Sequence, residues 1–144
     1  MFNPSVNDVR NFFFDTFAKA NQQQALSDLE KMAYSVIMEH PEYQTVLRDR
    51  EKYLNYNWLP DAGETNPFFH LSMHMSIWEQ LSIDQPMGIK ALYLELCEQF
   101  GDEHEAQHQV LDCLAEMVWQ AQYNNMQPDP TIYLSCLRRK LGKE

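Results

Sequence analysis

The chain has 144 residues, 44% of them apolar, and a formal net charge of −10. That length fits one domain with a real core, and only 4 Gly and 7 Pro exclude a loop-rich or disordered chain. The acidic balance opposes binding to nucleic-acid phosphates or to an anionic membrane surface.

The N-terminal MFNPSVNDVR lacks a basic region followed by an apolar run, so no secretory signal is expected. Ser5 reads as an N-cap with Asp8 as its acidic partner, opening a first helix that runs to about Ala20. Val6, Val9, Phe13 and Phe17 give that helix a core face. The second helix is expected from about Gln24 to Glu39, burying Leu26, Leu29, Ala33, Val36 and Ile37. Pro41 ends it, and His40 just before the proline suits the negative end of the helix, with no further role. Tyr43 to Lys52 forms another short helix.

Residues 53–67, YLNYNWLPDAGETNP, read as a loop. Asn66 caps the third helix, with Pro67 in its first turn. The fourth helix is expected from near Pro86 to Phe100, with Gly101 as its stop and Ile89, Leu92, Tyr93, Leu96 and Phe100 as core positions. Asp102 caps the fifth helix, which continues to about Asn124, with Glu105 placed to close a capping box. The sixth, from Asp129 to about Leu141, buries Ile132, Leu134 and Leu137 and ends in basic residues that suit a helix C-terminus. No strand pattern appears.

Four of the five histidines fall in two H-x-x-x-H pairs, His70/His74 and His104/His108. Positions four apart share a helix face. On the third helix the pair lies in the middle of the apolar arc, among Met73, Ile77, Leu81 and Trp78, where burial is expected. On the fifth helix the pair flanks an apolar face built on Val110, Leu111, Leu114 and Val118, with Asp112, Glu105 and Glu116 beside it. An unpaired buried polar group costs about 1–3 kcal/mol, so buried imidazoles need partners. A divalent metal supplies them at once, and helical bundles build such sites from inward-facing side chains. The plainer alternative pairs the same histidines with Asp112, Glu105 or Glu116.

His104 to His108 also reads H-E-A-Q-H, which matches H-E-x-x-H. In that chemistry a metal-bound water is activated, here with Glu105 as general base and Glu116 as the further carboxylate. Against it stand the brevity of the pattern, the absence of a sheet to hold a peptide, and the capping role of Glu105. Cys97, Cys113 and Cys136 are odd in number and never in C-x-x-C, which reads as reduced, buried cysteines of a cytosolic protein.

The stretches NPFFHLSMHMSIWEQ and GDEHEAQHQVLDCLAEMVWQAQ, the following PDPTIYL and the opening MFNPS-x-x-x-VR-x-FF together resemble domain of unknown function family 1841. This is a family of small uncharacterised proteobacterial proteins. The likeness covers nearly the whole chain. It implies membership and no activity, and its pattern emphasises the two histidine pairs more than a full H-E-x-x-H.

The expectation is therefore an all-α, single-domain bundle of five to six helices over residues 1–144, cytoplasmic, forming a homodimer. It binds a transition metal, zinc or iron, through His70, His74, His104 and His108. Metal-dependent hydrolase-like chemistry would use Glu105 and Glu116. The alternative is a non-catalytic interaction module whose core histidines pair with carboxylates and whose acidic surface meets a basic protein.

Overall fold

A computed structural model describes residues 5–144. The expectations that fall on Met1–Pro4 lie outside the described residues. Among the described residues the structure is all-helical, with no strand. Among the described residues eight α-helices replace the expected five or six: α1 Val6–Asn21, α2 Asp28–Met38, α3 Gln44–Leu47, α4 Arg50–Tyr53, α5 Pro67–Ile83, α6 Ile89–Phe100, α7 Glu103–Tyr123 and α8 Pro130–Lys140. The surplus comes from residues 41–53, where two short helices follow a 3-10 turn instead of one continuous helix. Among the described residues no helix is long and apolar enough to cross a membrane. The chain divides into two compact units, Met1–Met75 and Ser76–Glu144.

In the first unit α1 starts where the sequence places it. Ser5 Oγ accepts from the Asp8 amide at 3.1 Å and Asp8 accepts from the Ser5 amide at 3.1 Å, closing a capping box. Helix α2 begins later than periodicity suggests, at Asp28. Ser27 and Glu30 form a second capping box there, with bonds of 3.2 and 2.9 Å. The expected Ala33, Val36 and Ile37 are buried, Glu30 joins them, and Leu29 is left 56% exposed. The core joins Phe13, Phe14 and Phe17 to Val36, Ile37, Leu47 and Phe68. Each such aromatic or branched side chain contributes roughly 1.5–3 kcal/mol by leaving water.

The loop before α5 is tied down by a cation. Arg10 Nη1 donates to the carbonyls of Leu54 and Tyr56, both at 2.8 Å, and of Tyr53 at 3.3 Å. Its guanidinium carbon lies 4.9 Å from the Trp58 ring centroid and 5.4 Å from that of Phe68. Burial opposes the charge and lowers the Arg10 pKa.

In the second unit α6, α7 and α8 pack around Tyr93, Leu96, Ala106, Val110, Leu114, Tyr133 and Leu137, with Ile77 and Leu81 from the end of α5 also buried. Helix α6 starts at Ile89 rather than near Pro86. The Asp84 carboxylate accepts from the amides of Gly88 and Lys90, and Gly88 sits at φ 98°, a left-handed conformation that only glycine adopts freely. In α8 the inward residues are Tyr133, Cys136 and Leu137, one position out of phase with the expected Ile132 and Leu134.

Candidate metal centre

Helix α5 delivers the first pair as its spacing requires. Asn66 Oδ1 caps the helix, accepting from the amides of Phe68 at 3.0 Å and Phe69 at 3.3 Å. One turn further in, His70 and His74 turn to the same side. Their Nε2 atoms lie 3.1 Å apart, His74 fully buried and His70 half-buried.

The third imidazole is His40, only 1% exposed, whose Nε2 lies 3.2 Å from His70 Nε2. Local chain chemistry puts it there. Pro41 disfavours helical backbone at the residue before it, and His40 leaves the helix at φ −128° and ψ 66°. Its backbone amide still donates to Ile37 O at 2.9 Å. The ring then folds back so that Nδ1 lies 2.8 Å from Val36 O, in the last turn of α2. A carbonyl only accepts, so Nδ1 carries the proton and donates. In the neutral ring the lone pair therefore sits on Nε2, the nitrogen facing His70. The Tyr43 ring stacks parallel to His40, 5.4 Å between centroids, and meets His70 edge-on at 5.8 Å. Burial and the nearby Glu42 carboxylate push the Tyr43 phenol up, so it stays protonated at neutral pH.

The ring nitrogens of His40, His70 and His74 lie within 4.8 Å of one another. His70 Nε2 is central, and it carries either one proton or one lone pair. It can therefore complete an ordinary hydrogen bond with only one of its two neighbours. A metal accepts all three lone pairs. At metal–nitrogen lengths of about 2.0–2.1 Å, neighbouring nitrogens stand about 3.3 Å apart in a tetrahedral site and about 2.9 Å apart in an octahedral one. The observed 3.1 and 3.2 Å lie between those values.

In the second unit the α7 pair also comes together, with His104 and His108 edge to face at 4.3 Å between centroids. Asp102 caps α7 by accepting from the His104 amide at 3.2 Å. Glu105 does not close the expected box. It is exposed and accepts from Gln109 Nε2 at 2.8 Å. Glu116 accepts from Gln120 Nε2 at 3.2 Å and lies 3.9 Å from Arg139. Asp112 lies 3.6 Å from Lys140 Nζ, which also donates to Gln109 at 2.7 Å. Of the carboxylates read beside the histidines, Asp112 and Glu116 thus meet the basic last turn of α8, and Glu105 does not.

The cysteine reading is corrected. Cys113 and Cys136 form a disulfide between α7 and α8, with Cα atoms 5.6 Å apart, and Cys97 keeps its thiol. Two buried cysteines on helices brought together by Val110, Leu114 and Leu137 are within bonding reach, which spacing along the chain does not reveal. The argument from reduced cysteines to a cytosolic compartment lapses with it.

His40 is the residue that sequence reasoning missed. Its local signals, a helix end and a following proline, account for the backbone but give no direction for the ring. A hint was available: His40 follows the buried Val36 and Ile37 at the i+4 and i+3 positions, so one further helical turn carries its ring toward the core unless the chain turns away.

No curated protein and no solved structure matches this chain. Residues 5–139 match the model of one family, described as Domain of unknown function (DUF1841). That match spans nearly the whole chain, including all five histidines, and the chain belongs to this family of uncharacterised domains.

Proposed function

We propose that this chain is a transition-metal-binding protein, with His40, His70 and His74 as ligands. The observation that carries the reading is the convergence of three Nε2 atoms at 3.1 and 3.2 Å, with the His40 lone pair set by the Val36 carbonyl. Neutral imidazoles favour zinc, iron, copper or nickel over magnesium and calcium, which take oxygen ligands.

The test is elemental analysis of protein purified without a metal-affinity tag. Close to one transition-metal ion per chain is expected, falling to background in His40→Ala and His74→Ala. Metal-free native protein that also takes up no zinc or cobalt would overturn the proposal.

The hydrolytic extension has its own test. A metal in such a site lowers the pKa of a bound water toward neutrality. Loaded wild type should then cleave p-nitrophenyl acetate faster than His74→Ala. Equal rates in the two proteins would leave a binding function without hydrolysis.

A further inference from the structure

A second site lies in the second unit, where α7 and α8 meet. An open cleft of about 410 Å³ is bordered there by two cations, Arg138 and Arg139, and two carboxylates, Glu116 and Glu144. Gln120, Thr131 and Ser135 add neutral polar groups, and Ile132 an apolar one. Glu144 sits in this cleft as a ligand would. Ser135 Oγ donates to its Oε1 and Arg138 Nε to its Oε2, both at 2.6 Å. Each carboxylate oxygen thus meets its own donor, and one of the two donors is charged. The Ser135 hydroxyl and Arg138 hold the Glu144 carboxyl below its ordinary range.

A fold-back of the chain delivers that carboxylate. Helix α8 ends in a Schellman turn, with Gly142 at φ 74°. The Gly142 amide donates to Arg139 O at 3.0 Å and the Lys143 amide to Arg138 O at 2.8 Å. Lys143 Nζ is held by Glu95 at 3.0 Å. The cleft can hold more than Glu144 brings. A guanidinium carries five N–H donors. Among the described residues Arg138 hydrogen-bonds through Nε alone, and Arg139 only approaches Glu116 at 3.9 Å. Gln120 donates to Glu116 at 3.2 Å, and Thr131 Oγ1 donates to Asp129, so each keeps an oxygen that can accept. With Glu144 in place the charges in the cleft balance. Without it one positive charge is left over.

We propose that this cleft binds a small polyhydroxy monocarboxylate, a sugar acid, whose carboxylate displaces that of Glu144 from Ser135 and Arg138 and whose hydroxyls meet Arg139, Gln120 and Thr131. Glu144 is then a tethered occupant that the ligand must outcompete. One surplus positive charge calls for one carboxylate, and a phosphate dianion would overshoot it in a chain of net charge −10. A wall of amide, hydroxyl and guanidinium groups calls for ligand hydroxyls rather than an apolar tail. The space equals about fourteen water volumes at roughly 30 Å³ each, which suits gluconate with its roughly thirteen non-hydrogen atoms.

Titration calorimetry on the full chain, with gluconate, glucose, hexanoate and inorganic phosphate as probes, tests this. Glu144→Ala should bind gluconate saturably. Wild type should bind it about tenfold more weakly, because the tethered carboxylate competes at an effective concentration in the millimolar range. Glucose lacks the charge and hexanoate the hydroxyls, so each should bind Glu144→Ala at least about tenfold more weakly than gluconate. Phosphate should also bind more weakly. The Arg138 side chain is 41% exposed, so Arg138→Gln added to Glu144→Ala should keep a native circular dichroism spectrum and lose gluconate binding. If that double variant does not fold, the ratio of Glu144→Ala to wild type and the probe comparison decide. No gluconate binding by Glu144→Ala at about 10 mM, equal affinity in Glu144→Ala and wild type, or full binding by the folded double variant would overturn the proposal. Glucose, hexanoate or phosphate binding as tightly as gluconate would do so as well.

Discussion

Metal binding at His40, His70 and His74 should be readable as thermal stability. His40 and His70 are 30 residues apart in sequence, yet their Nε2 atoms lie 3.2 Å apart in the fold. An unfolded chain does not hold that geometry, so a metal ion binds the native state selectively. With free metal a hundredfold above its dissociation constant, selective binding adds about 2.7 kcal/mol. For a chain of 144 residues, each kcal/mol moves Tm by roughly 4 °C, so a rise of about 10 °C is expected. The assay is differential scanning calorimetry of chelator-stripped protein, with zinc, cobalt or nickel added and then removed by EDTA. His40→Ala should start from a lower Tm, because it empties a buried position, and should show none of the metal-dependent rise. The quantity compared is the rise within each protein, which cancels the packing loss. A rise below about 2 °C with all three metals, or an equal rise in His40→Ala, would refute the reasoning.

Four further outcomes are expected elsewhere in the molecule. The Cys113–Cys136 bridge closes a loop over a sequence separation of 23, worth about 3 kcal/mol of stability on the chain-entropy model. Thiol titration in denaturant should find one reactive cysteine, Cys97, before reduction and three after, and the reduced protein should unfold at lower urea. Ser27→Ala removes the α2 cap and should cost about 1 kcal/mol by urea unfolding. The Ser27 backbone amide and Lys19 hold the Glu30 carboxyl below its ordinary range. Its contribution is therefore present above the unfolded carboxylate pKa and lost as pH falls through the lower folded value, so Glu30→Gln should flatten the acid limb of the stability profile. Tyr133, 1% exposed, donates its hydroxyl to Gln80 Oε1 at 2.6 Å, and Tyr133→Phe should cost about 1 kcal/mol in the same assay.

Helix starts were legible wherever a side chain closes back on its own backbone. Ser5 with Asp8, Asn66 before Pro67, and Asp102 all cap where their chemistry predicts, and Asp129, read only as the start of the last helix, caps it. The α2 start falls later than the apolar period beginning at Leu26 suggests, because the Ser27–Glu30 box sets the first turn. The α8 stripe slipped by one residue for a related reason. Ile132 and Leu134 are as apolar as their neighbours, but Tyr133 and Cys136 have partners to meet, Gln80 and Cys113, that lie far away in the chain.

The sequence alone determined that His70 and His74 share one face of a helix, and that His104 and His108 share one face of another. Helical periodicity fixes both from a few neighbouring residues. Tertiary structure alone decided that His40 joins His70 and His74, and that Asp112 and Glu116 turn to the basic end of α8. It also decided that Cys113 finds Cys136. Each of these meetings depends on which apolar faces pack together, and burial attracts any apolar face to any other without direction. The particular partner emerges only when shape, caps and turn geometry are satisfied along the whole chain at once.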